Sequence, residues 1–526
     1  MRHPLPSTLY PKPCSSGIAT LELLIAFALA VTLLVGATLV SFGGQSASLD
    51  VALGGQGMAT TTNFQQASVL GAFTDWAGTI AGTPTIYKAG GDIYDVGSTT
   101  VDVSECMKGI GINTNWKSEK NRGQYLGLAT LVASTSAAKK LGGDCSPIPP
   151  GDWSHPDSYN ISDPIPSGNQ GTDLDTVGTS GKMYVLLTTN KNGGSDTLFV
   201  VDVTNPQAPL LKGSYSKDDK DLFAVDAIST GFVFAVGAST TAQLQIVDIS
   251  NPSNPILSAK AVLPDITNGI GRSVYYYDNK VYVGTQYVPC VGPGCTIFKN
   301  NEFHIFDVSN PSTPVWIDSI DVDRNVNSIV VRDGLAYLAT GAGSAPYTQL
   351  KVYDVDPFHV LPNPITTYKQ QISSLSVSGS EAGTSVYSIG NRLYFGRGCV
   401  PSTRNDFYIL DITPPLPSDL STARILGSAF LDLKPCGGPN SVDVVDIAAQ
   451  GNLVFIGSGD TNPNNGGGPF LVYDVSTPSS PQPVIACSFN YSEKTTGLDY
   501  SEGLIFVSSE SNDALRIIYP ALTCSP

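Results

Sequence analysis

Several absences narrow the chemistry available to this chain. Its 526 residues contain no glycine-rich loop with a Lys to cradle phosphates, no His-Glu-x-x-His pair and no nucleophile elbow. The motif-borne forms of nucleotide-dependent transfer, zinc-dependent proteolysis and α/β-hydrolase chemistry are therefore excluded. Histidine occurs only four times, as His3, His155, His304 and His359, none beside a recurring Ser, Cys or carboxylate pattern. Each reads as a surface or turn residue, not a catalytic base. Basic residues are also scarce: 29 Lys and Arg face 45 Asp and Glu, for a net charge of −16. Such a surface repels nucleic acid, whose binding depends on Lys and Arg neutralising phosphates. No catalytic residue, metal or cofactor is expected, and the chain reads as non-enzymatic.

Metal-ligand clustering is missing too. Among nine cysteines the only close pair is Cys290 and Cys295, with no second pair at zinc-ligand spacing. Excluding Cys14 leaves an even eight, which in an exported protein points to as many as four disulfides. Neighbours by spacing are Cys106 with Cys145, Cys290 with Cys295, Cys399 with Cys436 and Cys487 with Cys524. Sequence does not fix the pairing. The loop Asp460-Thr461-Asn462-Pro463-Asn464-Asn465-Gly466 has oxygen ligands at a calcium loop's first, third and fifth positions. Its twelfth residue is Leu471 where a bidentate Glu is needed, so it reads as an Asn- and Gly-rich turn.

What is present is globular: 41% hydrophobic and 14% charged residues, with 53 Gly and 37 Pro, the composition of many short strands joined by turns. The exception is Ile18 to Phe42, 25 almost wholly apolar residues. As a helix at about 1.5 Å per residue it spans ~37 Å, enough for a bilayer core of ~30 Å. Residues 1–17 before it are polar, Pro-rich and weakly basic. Within the run, Glu22 places a carboxylate one turn in, where an unpartnered charge costs at least ~2.5 kcal/mol, so it is read as functional.

Ser15-Ser16-Gly17-Ile18-Ala19-Thr20-Leu21-Glu22 resembles the type IV prepilin processing motif: Gly before the cleaved bond, an apolar first mature residue and Glu at the fifth mature position. Thr20-Leu21 fits the family; Ile18 stands where Phe or Met is usual. The resemblance implies a prepilin peptidase that cuts after Gly17 and methylates Ile18, and a Glu22 that pairs with the terminal amine of a neighbouring pilin subunit. It places the chain in the cell envelope, inserted in the cytoplasmic membrane through residues 18–42 and later in a pilus or at the cell surface, with its C-terminal region exported. Loss of Arg2 and Lys12 with the leader takes the net charge from −16 to −18.

Residues 18–80 read as the N-terminal pilin helix, with glycines 54, 55 and 57 as breaks. Residues 81–145 read as a small antiparallel sheet with short strands at Thr85-Ile86-Tyr87, Val101-Asp102-Val103, Ile110-Gly111-Ile112 and Tyr125 to Leu128. From Val101 through Asn115-Trp116 to Cys145 this stretch resembles minor-pilin or pseudopilin domains, which favours pairing of Cys106 with Cys145. Pro-rich residues 146–171 read as a linker.

Self-similarity fills the rest, residues 172–526. Alternating apolar residues ending in Asp, often before Asn-Pro or Thr-Pro, recur at Asp202, Asp248, Asp307, Asp354, Asp411 and Asp474, with a degenerate copy in which Tyr519 replaces Asp. The intervals are 46, 59, 47, 57, 63 and 45 residues. A second strand precedes each copy, a further one precedes that, as in Leu222 to Ile228 and Val442 to Ile447, and a fourth often follows. Four strands per unit of about 45 residues is propeller spacing, and seven units imply seven blades. Leu244-Gln245-Ile246-Val247-Asp248 resembles the LVIVD repeat, a family implying a β-propeller and no common enzymatic activity. The six Asp residues are read as structural, ending a strand by accepting N–H bonds in the following turn.

The last copy ends seven residues before the C-terminus, so blade seven lacks its fourth strand. Asp157 to Ser162 is expected to supply it and close the ring. The insertions Val288 to Asn301 and Cys399 to Asn405 are read as recognition surfaces. The expected architecture is mainly β: a seven-bladed propeller behind a pilin helix and small sheet. The expected role is a minor (tip) pilin or pseudopilin recognising an unidentified surface, glycan or protein. The alternatives are a secretion pseudopilin binding cargo and an envelope-anchored propeller enzyme, which needs carboxylates or histidines converging on the central channel.

Overall fold

The computed structural model describes four strands between residues 85 and 133 and, from 149 to 521, everything except 180, 191–196, 217–220, 240, 265–269, 288–300, 342–347, 358–367, 399–403, 422, 432–443, 460–468, 486–488, 490, 492 and 512. The described strands fall into two compact units. The first is a four-stranded sheet of Thr85–Ala89, Asp92–Ser104, Met107–Lys117 and Gly123–Ala133, neighbouring one another in chain order. Its first two and last two strands pair antiparallel. The strands are longer than the three- and four-residue segments read from sequence, because polar residues such as Thr114 and Asn115 continue the pairing of Ile112 with Leu128. Among the described residues there is no helix, so none is long and apolar enough to cross a membrane. Residues 18–80 lie outside them.

The second unit is a ring of seven four-stranded antiparallel blades, six of them meanders. Blade 1 is Gln170–Thr179, Lys182–Asn190, Leu198–Asp202 and Leu210–Tyr215, in order from the axis outward. The innermost strands of blades 2 to 7 are Leu222–Ile228, Gly271–Tyr277, Val326–Arg332, Gly383–Ile389, Val444–Gln450 and Thr495–Ser501. In blade 6, residues 442 and 443 of the strand read from sequence lie outside the described residues.

The middle two strands of each blade are apolar on both faces because each blade is packed between two others. In blade 1, Val185, Leu187, Phe199 and Val201 meet Phe506, Leu515 and Ile517 of blade 7. Their alternates Tyr184, Leu186, Leu198 and Val200 meet Val225, Val233 and Ala235 of blade 2. Period-two alternation thus assigns alternate residues to opposite neighbours, and each fully buried Val, Leu or Phe contributes about 1.5–3 kcal/mol.

Blade 7 takes three strands from the C-terminus, Thr495–Ser501, Leu504–Ser509 and Leu515–Pro520, and its outer strand from Pro156–Ser158, antiparallel to the last of these. The Tyr159 N–H donates to Ile517 O (3.0 Å) and the Ala521 N–H to His155 O (2.7 Å), which extends the pairing at both ends. Tyr519, at the position of the repeat Asp, stacks on Tyr159 with centroids 4.2 Å apart, and its hydroxyl donates to Asp157 (3.3 Å). Just upstream, Gly151 has φ +84° and lies where a Cβ would be 2.3 Å from Pro520, so only glycine fits. Trp153 is 2% exposed and sets its ring edgewise on Phe455 of blade 6, centroids 4.7 Å apart.

Trp153 therefore pins the closing segment to blade 6 and the core beneath it. Trp153→Ala is expected to cost about 3–5 kcal/mol, read as a lowered urea midpoint, and to promote association through the freed edge of blade 7. An unchanged midpoint in a monomeric variant would contradict closure by this segment.

Candidate functional site

The innermost strands surround a central channel, and each carries a bulge at the same register. Pairing with the second strand skips one residue, Thr172, Phe223, Arg272, Asn327, Thr384, Val445 and Thr496 in blades 1 to 7. A bulge adds one unpaired residue and re-aims side chains, and all seven of these line the channel cavity of about 290 Å³. Five of them, Thr172, Phe223, Arg272, Val445 and Thr496, also line a wider cavity of about 570 Å³ at the mouth.

Directly after the bulge come Asp173, Ala224, Ser273, Ser328, Ser385, Asp446 and Gly497. Two residues further on stand Asp175, Asp226 and Asp499 in blades 1, 2 and 7. The Asp and Ser side chains among them, all but Ala224 and Gly497, bridge every joint in the ring. Asp173 and Asp175 accept from Val225 N–H (2.9 Å) and Ala227 N–H (2.8 Å) of blade 2. Asp226 accepts from Tyr276 N–H of blade 3 (2.5 Å), and Ser273 donates to Val326 O of blade 4 (2.9 Å). Ser328 accepts from Val386 N–H of blade 5 (3.2 Å), and Ser385 donates to Asp446 of blade 6 (3.2 Å). Asp446 accepts from Leu498 N–H of blade 7 (2.9 Å), and Asp499 accepts from the N–H (3.2 Å) and hydroxyl of Thr176, returning to blade 1.

Burial pushes these carboxyls up from their ordinary value near 3.8: Asp226 to about 7, Asp446 and Asp499 to about 6, and Asp173 and Asp175 well above it. Mutual repulsion adds to burial, from Asp446 on Asp173 and from Asp226 and Asp499 on Asp175, while the backbone N–H bonds oppose it. The channel can therefore hold protons up to about pH 6 to 7. It cannot readily offer a free carboxylate, because the oxygens of all five Asp side chains are occupied by backbone donors.

Each of the six repeat Asp residues ends its strand on the opposite face and accepts the N–H two residues on: Asp202 from Thr204 (3.2 Å), Asp248 from Ser250 (2.8 Å), Asp307 from Ser309 (2.8 Å), Asp354 from Asp356 (3.0 Å), Asp411 from Thr413 (2.8 Å) and Asp474 from Ser476 (2.7 Å). They are spread around the ring and meet at no common point.

His304 differs from the surface or turn position expected. It is fully buried within the strand Phe303–Asp307, its Nε2 2.8 Å from Asn301 O and its Nδ1 without a partner. Burial lowers its pKa to about 4, so it is a neutral packed ring. The strand's alternation assigns His304 to the same face as Phe306, which packs with Val281 and Val283. His155 lies in a turn, with Ser154 Oγ (2.8 Å) and Asp152 (3.3 Å) both on Nδ1, an arrangement that cannot relay a proton between them through two ring nitrogens.

Gly17, Ile18, Glu22, His359, the loop 460–466 and all eight candidate cysteines, Cys106, Cys145, Cys290, Cys295, Cys399, Cys436, Cys487 and Cys524, lie outside the described residues. Among the described residues no group of three or more His, Cys, Asp or Glu could hold a metal ion. The channel aspartates were missed in the sequence, although an Asp recurs within the inner strands in Asp173-Leu174-Asp175, Val225-Asp226-Ala227, Val445-Asp446-Ile447 and Leu498-Asp499-Tyr500.

A family model described as the LVIVD repeat matches residues 193–217, 228–261 and 296–322, the Asp-ended strands and outer strands of blades 1 to 3. No curated protein matches the chain. Solved structures similar to it include a catalytically inactive virginiamycin B lyase from Staphylococcus aureus with quinupristin, 10% identical, covering 70% of this chain and 99% of that one at a TM-score of 0.44. Another is a structural genomics protein of unknown function from Bacteroides thetaiotaomicron, 10% identical, covering 66% and 98% at 0.34.

The raised carboxyl pKa values predict the sign of the pH dependence. Between about pH 4 and 7 the folded channel retains protons that the unfolded chain has released, so this part of the stability is present below pH 4 and lost as pH rises through 6 to 7. Glu302, raised by burial to about 7, acts in the same direction, and the single His304, lowered by burial to about 4, opposes it below about pH 6.5. Asp307 and Asp419, held low by their bonds from Ser309 and Ser421, act only below that window. The melting temperature is expected to be higher at pH 5 than at pH 8, with a smaller difference in Asp226→Asn. The reverse order would contradict the assignment.

Proposed function

We propose that this chain, an LVIVD-repeat β-propeller, is a non-enzymatic cell-surface subunit, a minor (tip) pilin or pseudopilin that displays the propeller for adhesion or recognition. The observation that carries the recognition part is the difference between the two faces of the ring. On one face the first and second strands join through tight turns with left-handed residues, such as Asp278-Asn279, Asp333-Gly334 and Glu502-Gly503, and most third strands end in the Asp turns. Only the connections 355–370 and 412–424 are long there. The other face receives every connection between second and third strands, including the long ones 286–302, 398–406 and 459–469, and surrounds the channel mouth. Binding residues favour variable loops held on a rigid scaffold.

The filament part rests on the leader-like sequence through Gly17, the apolar run and Glu22, whose carboxylate would gain its partner, the Ile18 amine of a neighbouring subunit, only on assembly. Membrane insertion through residues 18–42, processing by a prepilin peptidase and assembly with other pilin subunits follow from the same residues. A domain of this size is too large to repeat at every position of a thin filament, which favours a tip or rare subunit. The reading as a secretion pseudopilin shares every one of these features and differs only in where the assembly ends.

One observation favours an envelope-anchored propeller enzyme: carboxyls with raised pKa line the channel. Against it, their oxygens are taken by backbone donors at the blade joints.

Fluorescent labelling of an exposed loop in the full-length chain tests the proposal in the source cells. Signal on surface filaments is expected, and Glu22→Ala is expected to leave the protein in the membrane and remove it from filaments. Signal confined to the envelope would favour the pseudopilin, and filament signal unaffected by Glu22→Ala would refute the assembly role of that residue.

A further inference from the structure

Among the described residues lining the mouth cavity of about 570 Å³, two groups remain without partners. Arg272, the bulge residue of blade 3, is exposed to this cavity and makes no ion pair or hydrogen bond among the described residues. Burial alone perturbs its guanidinium, with no carboxylate contributing. Asn190, at the end of the second strand of blade 1, spends its amide nitrogen on Gln170 (3.5 Å) and leaves its buried Oδ1 with no donor. The buried acceptor is costly unless something occupies the site, and the guanidinium, exposed to the cavity and without a carboxylate partner, is available to an anion. Between them Phe223 and Val445 supply apolar wall, while the hydroxyls of Thr172, Thr495 and Thr496 are already donated to Leu222 O, Pro469 O and Gly171 O.

We infer that the channel mouth binds a hydroxycarboxylate group of the kind a uronic acid sugar presents, its carboxylate on Arg272, a hydroxyl donating to Asn190 Oδ1 and its C–H face against Phe223. The inference supplies a ligand for the recognition proposed above and rests on that reading for its biological setting.

Three features select this chemistry. One guanidinium with two parallel donors matches the single charge and planar fork of a carboxylate. A phosphate dianion would be under-neutralised beside an acidic channel. An α-ammonium would need an acidic acceptor, yet the carboxylate of the mouth, Glu510, is already paired with Lys494 at 3.1 Å. A neutral amide oxygen suits a hydroxyl donor instead. The site also follows from the blade pattern: five of the seven bulge residues, Arg272 among them, line the mouth.

The test uses the full-length chain in detergent micelles, titrated calorimetrically with glucuronate, glucose, glutamate and inorganic phosphate. Glucuronate is expected to bind, with glucose weaker by about tenfold or more, the loss that follows from removing one good charge-assisted contact, and with glutamate and phosphate weaker because their ammonium and second negative charge go unmatched. Arg272→Gln is expected to weaken glucuronate binding by a similar factor with an unchanged melting temperature. Arg272→Lys, which keeps the charge but not the fork, should fall between. Absence of glucuronate binding, equal binding of glucose, glutamate or phosphate, or indifference to Arg272→Gln would each overturn the inference. Surface display is read by imaging and does not depend on this titration, so failure of either result is distinguishable from failure of the other.

Discussion

Each innermost strand has one edge paired within its blade and the other facing the axis, where no further strand exists to satisfy its N–H and C=O groups. An edge left in this state would expose unmet backbone at the centre of the ring. The chain meets the constraint with short polar side chains from the preceding blade: Asp173, Asp175, Asp226, Ser273, Ser328, Ser385, Asp446 and Asp499 carry the bond from one inner strand to the next around all seven joints. Blade spacing, channel width and the exposure of the bulge residues depend on these bonds. So does the unusual electrostatics, since five carboxyls close to one axis are compatible with folding only where backbone donors and retained protons offset their repulsion.

The outer side of the ring has a complementary problem. Blade 7 would end at Pro520 with an open edge, and the chain covers it with Pro156–Ser158, drawn from the other end of the domain. Tyr519 changes role accordingly. Where six blades place an Asp to start a turn, the seventh places an aromatic that stacks on Tyr159 and donates to Asp157. With Trp153 set against Phe455, the closing segment contributes a core residue as well as an edge strand.

The two faces of the ring differ in how far geometry commits their sequence. Repeat Asp residues and tight left-handed turns standardise one face, so its sequence is largely committed to geometry. The bulges open the other face, and their side chains, Phe223 and Arg272 among them, are released from pairing with the second strand. A ligand can be selected there by side chains that the blade pattern does not otherwise constrain.

The sequence by itself determined the repeat and the blade count, because alternating apolar residues between turn signals are a local pattern and recur in register. It also disclosed the turn role of Asp202 and its counterparts, since an Asp at a strand end with Asn-Pro following has few other uses. The leader-like reading through Glu22 rests on the same kind of local pattern, and those residues lie outside the described ones. The tertiary structure alone decided what Asp173, Asp175, Asp226, Asp446 and Asp499 do, because their partners lie about one blade away in sequence or, for Asp499 and Thr176, 323 residues away. It likewise decided that His304 is buried, a consequence of which neighbour covers its face of the strand. The mouth with Arg272 and Asn190 exists only once blades 1 and 3 share an axis. Local pattern specifies how a blade is made; closure of the ring brings distant residues together, and only then is there a channel to line.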